Sequence, residues 1–68
     1  MSNNKHEIIE ALKKQFWETM DKAEALRHLA ATQRTEEDAD RFIQRAEAEE
    51  AKAKGYLKQA EILEKADL

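Results

Sequence analysis

From Ile9 onward, the apolar positions of the first half of the chain fall in alternating steps of three and four: Ile9, Leu12, Phe16, Ala23, Leu26 and Ala30, with Thr19 as the one polar member. That spacing keeps a single stripe of a helix turned toward a partner helix, which is the pattern of a heptad seam. Ile8, Met20 and Leu29 flank the stripe. At 100° per residue they widen the apolar arc to roughly half the circumference, more than one partner helix needs. The second half carries alanine at a strict seven-residue interval, Ala39, Ala46, Ala53 and Ala60, with Phe42, Glu49, Tyr56 and Leu63 between them. Ile43 and Leu57 stand alongside. Two long helices are expected, and nothing in either half alternates with the period of a strand.

Boundary signals divide the halves. Asn4, followed three residues later by Glu7, has the spacing of a capping box at the start of the first helix. Thr35 is a good N-cap, and Glu36, Glu37 and Asp38 place three carboxylates in the following turn, where the helix dipole favours them. The chain therefore reads as one all-α domain over residues 1–68: helix 1 over about 4–31, a turn over about 32–35 and helix 2 over about 36–66. The turn holds neither glycine nor proline, which leaves one continuous helix in a parallel coiled coil as the competing arrangement.

The seams favour an antiparallel hairpin. If the chain folds back near residue 34, Ile9 meets Ala60, Phe16 meets Ala53, Ala23 meets Ala46 and Ala30 meets Ala39. Two layers set large against small and two set alanine against alanine, so the helices can approach closely. At mid-seam Thr19 falls opposite Glu49 or Glu50. Glu49 is expected to lean to the edge and pair with Arg45 or Lys52, since a buried unpaired acid is costly. Elsewhere the surface offers acid-before-base pairs at i,i+4: Glu10–Lys14, Glu18–Lys22, Glu37–Arg41, Glu50–Lys54 and Glu61–Lys65. Gly55 lies away from the seam.

Length changes the picture. A core available to 68 residues seldom outweighs the entropy of ordering them, and with no cysteine no disulfide can help. Two hairpins paired as a four-helix bundle would bury Ile8, Met20, Leu29, Ile43 and Leu57 at a second seam, so a homodimer is expected. In QFWETM, Phe16 belongs to the first seam, while Trp17 points well away from it, beside Lys13, Lys14 and Asp21. Trp17 is assigned to an interface, with either the second subunit or another protein.

Charge and chemistry narrow the function. The balance of 12 basic and 15 acidic residues gives a net charge of −3, the wrong sign for a surface that binds phosphates through bulk charge. No apolar run reaches membrane-spanning length, and the opening MSNNKHE has no apolar core of the signal-peptide kind, so a small acidic cytoplasmic protein is expected. For catalysis there is no cysteine nucleophile and no Gly-rich phosphate loop, and Ser2 stands in the polar start of the chain. The histidines give His6-x-x-x-Glu10 and Glu24-x-x-x-His28, not the inward Glu-x-x-His of di-metal bundles. No catalytic residue, cofactor, metal site or small-molecule substrate is assigned.

The remaining classes are interaction modules. Small dimeric hairpins of the plasmid Rop type bind paired RNA loops, an architectural analogy carried by no motif in this chain. The best basic cluster, Arg34, Arg41 and Arg45, is surrounded by Glu36, Glu37, Asp38 and Asp40, which argues against nucleic acid. The reading is a non-enzymatic protein–protein interaction module, an adaptor, regulator or inhibitor, acting as a homodimeric hairpin. A purely structural self-assembling bundle is the other alternative.

Overall fold

The computed structural model describes residues 3–66, and Ser2 lies outside them. Helix α1 spans Asn3–Ala31 and helix α2 spans Glu36–Lys65, and the two pack against each other along their length as an antiparallel hairpin. The molecule is a rod of 53 × 14 × 10 Å. Its radius of gyration of 15.8 Å exceeds the ~11 Å of a globular chain of this length, because only one layer of packing holds it together.

The chain reverses without glycine, and its hydrogen bonds explain how. At the end of α1 the amide of Thr32 donates to the Leu29 carbonyl (3.1 Å) and that of Gln33 to the Ala30 carbonyl (3.2 Å), a tightened final turn. The Leu29 carbonyl also accepts from Thr32 Oγ1 at 2.8 Å and Gln33 Nε2 at 2.9 Å. No residue takes a positive φ among those described. Side chains thus do the work a C-terminal glycine usually does. Thr35, at φ −119° and ψ 152°, then caps α2, its Oγ1 accepting from the Asp38 amide at 3.1 Å, with Glu36, Glu37 and Asp38 in the first turn.

The beginning of α1 differs from the expected boundary. Asn3 and Asn4 are already helical, so Asn4 is not the cap and no Asn4–Glu7 capping box forms. At the same end of the rod, Lys5 Nζ donates to the carbonyl of Ala66, the C-cap of α2. A cation there complements the negative end of the α2 dipole and ties the open end shut.

The core is small. Ile9, Ala23, Ala30, Ala46, Ala53 and Ala60 are the buried apolar residues, and the three in α2 are completely shielded at 0% exposure. Leu12, Phe16, Leu26, Ala39, Phe42, Tyr56 and Leu63 are half-buried along the same seam. No large side chain is fully buried among the described residues. Alanine on α2 lets the backbones approach until the larger residues of α1 and the α2 aromatics are pushed to the edges of the contact.

Candidate interaction surface

The two edges of the seam differ in chemistry. Along one, Lys13 Nζ donates to Glu64 Oε2 at 2.9 Å, and Arg27 donates to Glu50 through Nε and Nη2, both at 2.9 Å. Met20 lies one heptad beyond Lys13, and Leu57 one heptad before Glu64, so both take the place between the two ion pairs. Each is half-buried. The Glu64 hydrogen bond and charge raise the Lys13 pKa. The hydrogen bond from Arg27 likewise holds the Glu50 carboxyl below its ordinary value, and the same contact raises Arg27. These bonds compete with the helix-surface pairs expected from the sequence. None of the five i,i+4 acid–base pairs closes among the described residues, and Glu50, expected beside Lys54, turns across the hairpin to Arg27 instead.

At mid-seam, Glu49 stays at the edge and accepts from Lys52 Nζ at 3.3 Å, while Thr19 is half-buried. No buried side-chain nitrogen or oxygen lacks a partner among the described residues. The polar layer is thus accommodated without an orphaned charge.

Large apolar side chains remain outside this packing. Trp17 is 64% exposed, Ile62 56%, Ile8 50% and Leu29 47%. They fall on two faces. Trp17 lies outside the ion-paired edge, its ring edge-on to Phe16 with centroids 5.0 Å apart. The half-buried Phe16 therefore supports one side of Trp17 while the other side is bare. Ile8 and Leu29 belong to the opposite edge of α1. At the open end, Ile8, Leu12, Gln59, Ile62 and Leu63 line a shallow apolar groove. Nearer the turn, Leu29 borders a second hollow with Asp21, Glu24, Ala25, His28 and Thr32. Ile62 stands outside both heptad seams, so the sequence pattern does not mark it. Only the register of the hairpin shows that it meets Ile8 and Leu12 at the groove.

Of the other expected interface residues, Ile43 is half-buried on α2. Arg41 and Arg45 border a recess of about 240 Å³ with Gln33, Asp38 and Phe42, and the Arg45 guanidinium lies 5.9 Å from the centre of the Phe42 ring. That distance is at the outer limit of a cation–π contact, and Asp38 lies in the same recess. His6 and His28 are exposed, and no group of three or more His, Asp or Glu side chains is arranged to hold a metal ion among the described residues. No described helix is long and apolar enough to cross a membrane. No protein-family model matches the chain, and neither the curated proteins nor the solved structures contain a significant match.

Proposed function

We propose that this protein is a non-enzymatic interaction module that self-associates as a homodimer of hairpins, forming a four-helix bundle, and docks on another protein. The observation that carries the reading is the mismatch between core and surface. Alanines occupy the centre of the hairpin, while Trp17, Ile8, Leu29 and Ile62 stand in solvent. An exposed Trp beside a Met and a cluster of aliphatics in a groove resemble the anchors of helical interfaces more than the scattered apolar residues of an ordinary surface. There are two such faces, which is what a chain needs to bind its own copy and a second protein together.

The test combines sedimentation with affinity capture. The purified chain sediments as a dimer at micromolar concentration. Immobilised wild-type chain retains a protein that a doubly substituted Ile8→Asp, Ile62→Asp chain does not, and the complex re-forms from the two purified components. Both positions are about half exposed, and the comparison is read only where the doubly substituted chain keeps wild-type helicity by circular dichroism. Retention of RNA or DNA alone, released by moderate salt, would replace this reading with the nucleic-acid one.

A further inference from the structure

The stripe of α1 that carries Trp17 has a property its seam with α2 lacks. Glu10, Lys13, Trp17, Met20, Glu24 and Arg27 again recur in steps of three and four, so they form a second straight seam on the same helix. By helical angle this seam lies roughly 100° from the first, close to the right angle between neighbours in a square four-helix bundle. Read in one direction the seam runs acid, base, Trp, Met, acid, base. Set against its own copy running the other way, with the two-fold axis between Glu18 and Thr19, every position meets a complement. Glu10 faces Arg27, Lys13 faces Glu24, and Trp17 faces Met20, and each contact occurs twice.

We infer that this stripe is a self-complementary dimerisation seam, and that its occupant is α1 of a second copy of the chain, antiparallel. The inference rests on the self-association part of the proposed function and assigns it a face and a direction. Three features of the hairpin support it. Glu10 and Glu24 are exposed and make no ion pair among the described residues, so both are free to meet a cation from outside. Lys13 gives only one of its three donors to Glu64, and Arg27 engages Glu50 through Nε and Nη2, leaving Nη1. Each cation can therefore bridge a carboxylate of its own α2 and one from the second copy. Finally, the largest exposed apolar side chain, Trp17, sits next to the axis, where the symmetry places two Trp–Met contacts together at the most shielded point. A sulfur beside an aromatic ring is a favourable pairing.

The open groove of Ile8 and Ile62 lies on the other edge and stays free in this arrangement. A parallel dimer through the same stripe is disfavoured by charge, because it sets Glu10, Lys13, Glu24 and Arg27 each against its own kind.

The test begins with the unmodified chain, whose single Trp is its own reporter. As concentration rises through the monomer–dimer transition followed by sedimentation, Trp17 emission moves to the blue, and the transition shifts to higher concentration as salt is raised. Direction is then read with cysteines, of which the native chain has none. Glu10→Cys and Arg27→Cys chains, each alone, form no disulfide dimer, since like positions stand about 25 Å apart along the axis. Mixed, they cross-link under oxidation. A dimer that forms with no change in Trp17 emission overturns this seam and leaves self-association standing. Cross-linking by either variant alone, or none in the mixture when both keep wild-type helicity, overturns the antiparallel direction. A chain that stays monomeric across the accessible range overturns the seam and the homodimer together.

Discussion

Arg27 grips Glu50 across the hairpin with two parallel hydrogen bonds, Nε to Oε2 and Nη2 to Oε1, both 2.9 Å long. Lys13 and Glu64 make the equivalent pair two heptads away, backward along α1 and forward along α2. The repeat of a cross-helix ion pair after two heptads shows that the register holds over this span without slipping. A fork-to-fork guanidinium–carboxylate bond is also direction-specific in a way a Lys contact is not. The pair thus serves register more than bulk stability, as exposed ion pairs contribute little.

Its signature is a pH effect of known sign. The Arg27 hydrogen bond lowers the folded-state pKa of Glu50 below its unfolded value. The stabilisation is then fully present above the unfolded Glu pKa and disappears as pH falls through the lower folded one. Urea titrations followed by helix circular dichroism should show the hairpin losing stability across the acid side of the carboxylate range. Glu50→Gln should remove part of that loss while lowering stability at neutral pH. Arg27→Lys keeps the charge but loses the fork, and should fall between wild type and Arg27→Ala. An unchanged acid profile in Glu50→Gln would count against the pair.

Thr35 carries the sharpest local prediction. It caps the N-terminus of α2, and its Oγ1 satisfies the Asp38 amide at 3.1 Å. Thr35→Ala should destabilise the hairpin by about 1 kcal/mol, while Thr35→Ser, which keeps the hydroxyl, should stay close to wild type. Both are measured by thermal unfolding at one fixed protein concentration, because an associating chain has a concentration-dependent midpoint.

The hairpin was legible in the sequence because its two determinants are local and periodic. The alanine heptad fixes which face of α2 is close-packed, and Thr35 followed by three carboxylates fixes where α2 begins. The turn was legible in place but not in means, since Thr32 and Gln33 bonding back to Leu29 requires knowing the path of the backbone. The surface ion pairs are not legible in the sequence for a related reason. Glu50 has Lys54 four residues along its own helix, and the choice of Arg27 exists only once the register of α1 against α2 is known. The groove of Ile8, Leu12, Ile62 and Leu63 is equally a product of register. Trp17 was legible as lying outside the seam, because neighbouring helical positions point about 100° apart and Phe16 already holds the inward place.

Gly55 lies within α2, is exposed and has a negative φ, and a Cβ built on it meets nothing within 4 Å. The glycine therefore costs helix stability with no packing contact within the hairpin to offset it. Gly55→Ala should stabilise the hairpin by about 1 kcal/mol, seen as a raised urea midpoint with unchanged slope. If instead Gly55→Ala leaves the isolated chain more stable but weakens its dimer or a captured complex, a partner backbone approaches at this point.

The alanine seam gives the most direct test of how the helices are held. Ala53 is completely buried at 0% exposure, in the layer that the sequence sets against Phe16, while Ala51, two residues earlier, is exposed. The change in intrinsic helix propensity is the same at both mid-helix positions, so comparing Ala53→Leu with Ala51→Leu isolates the effect of filling the seam. In Ala53→Leu the added carbons have no void to enter. The helices must separate locally or Phe16 must leave its place, at a cost of about 1–3 kcal/mol. Ala51→Leu should fall within about 0.5 kcal/mol of wild type. Because Phe16 meets the Trp17 ring edge-on, displacing it should also alter the Trp17 environment, and Ala53→Leu alone should change the near-ultraviolet dichroism of the folded chain. Equal stability in the two variants would mean that α2 does not approach α1 closely at this layer.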